Sequence, residues 1–252
     1  MLNNNKNRKN QYNFIEIEKK VLNKCWIYIV LCYYLAFWAL GYIIRQVPSF
    51  KATALLDYFI NIVEVSISLL FLFVVLRKYI VESMNDIKNA HLKSILGWIG
   101  KGLIIDFALR IIIAIVMVIL KRNIPELSII TLNQASIDKM LMEHRLLGIL
   151  LFSILGPIEE ELIFRSVIFH SFRKIGKIPA FVVSIIFFAG SHIISELLAG
   201  AFLQALIASF SYLSMGFVLC YLYEKRRNVI VCIVFHILIN AVGLCMVYFR
   251  NQ

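Results

Sequence analysis

Charge is scarce in this sequence. Asp, Glu, Lys and Arg make up only 16% of the 252 residues, well under the roughly 25% usual for soluble domains, which excludes an ordinary water-soluble globule. Cysteine is sparse and unpatterned: Cys25, Cys32, Cys220, Cys232 and Cys245 are odd in number, lie in apolar segments and form no CxxC. That spacing offers neither a redox pair nor a structural zinc site, and packing roles are expected for all five. The chain also lacks HExxH, the helical zinc-protease signature, and GxSxG, the strand-to-helix turn that exposes a nucleophilic serine. No internal repeat is present, and the only compositional bias is an Asn-rich leader.

Apolar residues are what the sequence has in abundance, at 61% with a mean hydropathy of +0.82. Runs of about 20 apolar residues, enough to cross about 30 Å of hydrocarbon at 1.5 Å per residue, recur over nearly the whole chain. Spans are expected near Cys25 to Ile44, Tyr58 to Leu76, Gly102 to Leu120, Leu146 to Phe169, Ala180 to Ile194, Leu197 to Tyr223 and Val229 to Phe249. In lipid such isolated runs must satisfy their own backbone hydrogen bonds. The expected fold is therefore all-α, a polytopic transmembrane bundle of seven or eight helices; the uncertainty is the long sixth span, whose Ser209, Ser211 and Ser214 suggest a tilt or a break. Between Lys121 and Arg145 the weakly amphipathic IDKMLMEHRLL reads as an external interfacial segment.

Residues 1–24 are polar and basic, and the apolar run that follows is too long and too poor in small residues for a cleaved signal. They read as a cytosolic leader to a single transmembrane domain, 25–252. The net charge of +11 sits in short clusters between spans, a pattern of membrane topology rather than of a nucleic-acid-binding face. Lys and Arg are concentrated in the leader and around residues 77–93, 173–177 and 225–227, so the positive-inside rule places the N-terminus in the cytosol.

The fourth span carries three consecutive carboxylates after a proline, GPIEEELIFR. Each ionised group near the bilayer centre opposes insertion by about 2.5–3.5 kcal/mol, so these residues are functional candidates. Glu161 and Arg165 are spaced i, i+4 with the acid first, the favourable order for an ion pair on one face. Glu160 projects about 100° away and is free to face a cavity, while Glu159 is expected to be interfacial or spare. His192 follows Phe188 by one turn in FFAGSH, and His236 and Asn240 share a face of the last span in HILIN. A carboxylate with two imidazoles and an amide can activate water and stabilise an oxyanion. A zinc site of Glu and two His is also conceivable from the residue types. Asp106 and Arg110 read as a structural i, i+4 pair, Glu64 as a partner of Arg110 or a liner of the water path, and His91, His144 and His170 as interfacial.

GPIE with EELIFR, FAGSH and HILIN, in that order, resemble the three motifs of the CPBP family, the CAAX-prenyl-endopeptidase and Abi-type intramembrane proteases. The resemblance covers about residues 145–250, the expected protease core. It implies that Glu160 activates water with help from His192, that His236 and Asn240 form the oxyanion hole, and that Glu161, Arg165 and Phe188 support the site. It further implies a glutamate protease with no metal cofactor, a hydrophobic or lipidated peptide as substrate, membrane lipid as surroundings and no nucleic-acid partner. Family members in bacteria are associated with bacteriocin immunity and peptide processing, so a catalytically idle immunity or interaction protein is one alternative. An ion-coupled carrier using the same carboxylates is another. Lys, Asn and Ile usage points to a bacterial cell membrane. Helix rise puts Glu160 roughly 14 Å from the Phe169 end of its span and His236 roughly 10 Å from Val229, from which a polar cavity opening on the cytosolic side is expected. His192, roughly 18 Å from Ala180 by the same count, fits that depth only if its helix is tilted.

Overall fold

The computed structural model describes residues 54–125 and 131–250. The expected leader and the first expected span, with Cys25 and Cys32, lie outside the described residues. Helices follow one another without a strand among the described residues: α1 Ala54–Val75, α2 Arg77–Asn89, α3 Leu92–Asn123, α4 Leu132–Glu143, α5 over residues 145–173, α6 Lys177–Leu198, α7 Phe202–Arg226 and α8 Val229–Arg250. Five of them, α1, α3, α6, α7 and α8, are long and apolar enough to cross a membrane. Large apolar side chains such as Ile104, Phe107, Ile112 and Val118 stand exposed along α3, an apolar surface that only lipid or protein can cover.

Alternating up and down, the helices give the bundle two ends. At one end lies α2, whose Tyr79 and Ser83 are buried. The Tyr79 hydroxyl meets that of Tyr223 at 3.0 Å, and Asn228 Nδ2 donates to the Ser83 carbonyl and to Asp86 Oδ2, both at 2.9 Å. Arg173 grips Glu224 through Nε and Nη2 at 3.0 Å, and Arg227 Nη2 reaches the same carboxylate at 2.9 Å. These contacts clamp the α7–α8 turn to α2 and tie the α5–α6 turn to it through Glu224. The opposite end is covered by α4, which Thr131 caps by accepting from the Gln134 amide at 3.0 Å. Its buried Met140 and Leu141 face the bundle, so the expected interfacial segment is a helix packed over the bundle end.

Two expected boundaries change. Leu197 belongs to α6, because the chain turns at Gly200, whose φ of +72° suits glycine; Ala201 N–H closes that turn on the Glu196 carbonyl at 2.8 Å. From Phe202 onward α7 is continuous through Ser209, Ser211 and Ser214, with Ser209 and Ser214 hydroxyls turned back on the Leu206 and Ser211 carbonyls at 2.6 and 2.9 Å. Local back-bonding of this kind satisfies a serine inside a helix without breaking it.

Helix α5 is not uniform. Its α-helical pieces Arg145–Gly148, Gly156–Glu161 and His170–Arg173 alternate with the π-helical stretches Ile149–Leu155 and Leu162–Phe169, all in right-handed helical conformation at the junctions. Wide turns of this kind are frequent at functional sites. Every residue from Leu162 to Phe169 is buried, and around them pack Phe188, Val218, Leu219, Leu222, Tyr223 and Phe235. These buried side chains fill the α2 end of the bundle.

Candidate active site

Three helices deliver the expected polar groups to one point. Glu160 on α5 lies with Oε1 3.7 Å from His192 Nε2 on α6 and Oε2 3.8 Å from His236 Nε2 on α8. Both separations are too long for a direct hydrogen bond and leave space for a small polar group shared between carboxylate and imidazole. Glu161 is differently placed. Its Oε1 accepts from Arg165 Nη1 at 3.1 Å and from His236 Nδ1 at 2.8 Å, and all three side chains are buried. One carboxylate is thus committed to structure and its neighbour faces open space, the division that the i, i+4 spacing anticipates.

Neighbouring groups fix the rings. His192 Nδ1–H donates to the Phe188 carbonyl at 2.9 Å and lies 3.2 Å from Ser191 Oγ, so a neutral ring carries its lone pair on Nε2, toward Glu160. Tyr212 of α7 lies against this ring, centroids 4.4 Å apart. Phe188 packs beside both histidines, at 4.8 Å and 5.9 Å between centroids, and Arg165 lies over its ring at 4.5 Å. Arg165 also donates to the Gly216 carbonyl at 3.4 Å. A Cβ at Gly216 would meet Phe188 Cδ1 at 3.3 Å, so the glycine allows α7 to approach α6 closely enough to supply that acceptor.

Asn240 lies one turn beyond His236, and its Nδ2 donates to the Phe152 carbonyl at 2.9 Å. The reason lies in α5. Gly156 N–H bonds to the Leu151 carbonyl, five residues back, so the next donor in that ladder would be residue 157 for the Phe152 carbonyl. Residue 157 is proline and has no N–H. The carbonyl left over is taken by Asn240, which keeps its second amide N–H for another acceptor.

A cavity of about 660 Å³ adjoins these groups, within the usual range of ligand pockets. Its lining includes Glu159, Glu160, His192, Tyr212, His236 and Asn240. Glu159, expected to be interfacial or spare, is buried and lines this cavity, because the carboxylate run sits in the middle of α5. The cavity is expected at the Lys- and Arg-rich end of the bundle, the end that the positive-inside rule assigns to the cytosol, and the structure places it elsewhere. From Glu160 the cavity extends only toward the α4 end, with lining from Leu151 to Glu160 on α5 and from His236 to Val247 on α8. The α2 end, where Lys and Arg concentrate, is filled by the core around Arg165 and Phe164. The depth mismatch of His192 narrows as well: α5 runs past the expected end at Phe169 to Arg173, which sets Glu160 deeper, and the two side chains meet at 3.7 Å.

Asp106 and Arg110 pair at 2.6 Å, and Arg110 also lines the cavity. Glu64 is buried on α1. His170 is buried rather than interfacial, since α5 continues past it, and the His144 ring stands edge-on to Tyr58 at 5.4 Å. Cys220 and Cys232 are buried packing residues, whereas Cys245 is exposed. Sequence reasoning missed Phe152, Tyr212 and Gly216. Pro157 signals an orphaned carbonyl about one turn before it, Ser153 in a regular α-helix, and only the π-helical register of α5 moves it to Phe152; the other two carried no signal.

A family model described as type II CAAX prenyl endopeptidase Rce1-like matches residues 142–242. UPF0177 protein YxdF of Lactococcus lactis subsp. lactis (strain IL1403) is 30% identical over 164 residues, which cover 63% of this chain and 80% of that protein. The chain belongs to the Rce1-like family. The matched region runs from the end of α4 into α8 and contains each of the site residues described above. Membership of the Rce1-like family makes the chain an integral membrane protein of the CAAX-type intramembrane protease kind. No solved structure matches it.

Proposed function

We propose that this chain is an intramembrane endopeptidase of the glutamate type. The observation that carries the reading is the position of Glu160, which faces the Nε2 atoms of two histidines at 3.7 and 3.8 Å across a cavity, while the adjacent Glu161 is consumed by Arg165 and His236.

A water between Glu160 Oε1 and His192 Nε2 donates one O–H to each acceptor and leaves an oxygen lone pair for the substrate carbonyl carbon. As that oxygen attacks, Glu160 accepts its proton and later returns it to the departing amine, which completes hydrolysis with no covalent intermediate. Negative charge that develops on the substrate oxygen is met by the second N–H of Asn240 and by His236. With Nδ1–H committed to Glu161, His236 donates from Nε2 only as the imidazolium. The cation then lies between the carboxylates Glu160 and Glu161, a preorganised positive charge of the kind that stabilises an oxyanion.

Arg165 and Phe188 act through others: Arg165 holds Glu161, and Phe188 holds both rings and, by its carbonyl, the His192 tautomer. No step in this scheme routes through a metal. The substrate class is a hydrophobic or lipidated peptide, admitted from the bilayer of a bacterial cell with the chain's N-terminus in the cytosol. The test is a comparison of membrane peptidomes from cells carrying the wild type and Glu160→Ala. Peptides present only with the wild type support the reading, and identical peptidomes turn it toward an idle immunity or interaction protein.

A further inference from the structure

We infer that substrate enters this site from the membrane face opposite the Lys- and Arg-rich loops, which makes the substrate an exported or outer-leaflet peptide rather than a cytosolic lipidated C-terminus. This rests on the endopeptidase reading for the word substrate, and on geometry alone for the direction.

The cavity is one-sided. On each helix that contributes Glu160, His192 or His236, the lining stops at the site: nothing beyond Glu160 on α5, nothing before Phe188 on α6, nothing before His236 on α8, and on α7 nothing beyond Met215. All four helices have their α2 ends on the excluded side. That side is closed by Phe164, Arg165, Phe169, Leu222, Tyr223 and Phe235, each with essentially no exposed surface. Water or peptide from the α2 end has to pass through this packed layer, where interiors leave few voids larger than a water molecule.

Toward the α4 end the lining is mixed. Gln134 and Ser136 on α4, Thr131 at its N-cap, Asn61 on α1 and Ser211 on α7 face the cavity. They offer donors and acceptors for a peptide backbone, while Val65, Leu151 and Met215 form apolar wall nearer Glu160. Arg110 adds the cavity's guanidinium, its side chain half exposed and held by Asp106.

The basic residues orient the two ends. Arg77, Lys78 and Lys88 on α2, Arg173, Lys174 and Lys177 at the α5–α6 turn, and Lys225, Arg226 and Arg227 at the α7–α8 turn share the closed end. At the cavity end the described loops and α4 hold Lys121, Arg122, Lys139 and Arg145. Short loops rich in Lys and Arg stay in the cytosol, so the cavity opens to the extracytoplasmic half of the bilayer. A prenylated cysteine presented at the cytosolic surface meets the closed end.

The test uses cysteine accessibility, which needs no proteolysis and so fails independently of the endopeptidase reading. In full-length protein with Cys25, Cys32 and Cys245 replaced by Ser and the buried Cys220 and Cys232 retained, single cysteines are placed at Ser211 and Gln134 in the cavity and at Lys174 and Lys225 at the closed end. Intact cells are treated with a small membrane-impermeant methanethiosulfonate and compared with permeabilised cells. Ser211→Cys and Gln134→Cys are expected to label equally in both, and Lys174→Cys and Lys225→Cys only after permeabilisation. Labelling of Lys174→Cys in intact cells, or failure of both Ser211→Cys and Gln134→Cys to label there while the proteins reach the membrane in normal yield, overturns the inference.

Discussion

Replacing Glu161 by Gln removes a charge that two buried cations or donors share. Arg165 is fully buried, held by Glu161 at 3.1 Å and the Gly216 carbonyl at 3.4 Å, so the variant leaves a guanidinium in the core without a counter-ion. Breaking a buried pair in this way costs about 3–5 kcal/mol. The Gln carbonyl still accepts one hydrogen bond, which puts the expected loss near the lower figure, about 3 kcal/mol. For a chain of this length that corresponds to a fall of about 6–12 °C in Tm. Glu160→Gln exchanges a partly exposed carboxylate with no hydrogen bond to either histidine, and is expected to leave Tm unchanged or slightly raised. The assay is thermal unfolding of the two purified variants in detergent. The pairing argument is refuted if Glu161→Gln unfolds with the wild type, or if Glu160→Gln loses as much stability as Glu161→Gln. A partial recovery in the double variant Glu161→Gln, Arg165→Met is expected, because the stranded charge is then gone as well.

Asn240→Ala is expected to slow cleavage about 10²–10³-fold by removing an oxyanion donor, and to lower stability by about 1 kcal/mol because the Phe152 carbonyl loses its partner; single-turnover rates and thermal unfolding check the two effects separately. Gly216→Val, by driving a side chain into Phe188 and Ile185, is expected to cost about 1–3 kcal/mol and to lower the yield of folded protein, as gel filtration of the solubilised variant will show. Hydrolysis by purified protein is expected to survive exhaustive chelation, measured as residual rate; loss that returns stoichiometrically with zinc would move Glu160, His192 and His236 into a ligand role.

What the sequence makes legible here is whatever a single helix fixes rigidly. The i, i+4 spacing of Glu161 and Arg165 assigns one carboxylate to structure and turns its neighbour elsewhere, and the same spacing sets His236 and Asn240 on one face of α8. Relations between helices are less accessible. The depth of His192 depends on where α6 begins, and a uniform rise of 1.5 Å per residue is wrong for α5, whose π-helical stretches shorten it. The direction of the cavity depends on which side of Glu160 the large side chains fill, and Phe164, Phe169, Tyr223 and Phe235 come from three different helices with no local signal that they meet. Glu159 illustrates the same limit: its angle around α5 is readable, but not that a neighbouring helix buries it.

The central claim is that Glu160 activates the hydrolytic water, and the most direct measurement is the cleavage rate of Glu160→Gln, reconstituted in lipid vesicles, on a peptide found only in wild-type membranes. Gln retains the size and a carbonyl acceptor but cannot take the proton from water, and loss of a general base removes about 10²–10⁴-fold in rate. A rate reduced by at least that range, with Tm unchanged, is the predicted result. Cleavage by Glu160→Gln at close to the wild-type rate would contradict the account.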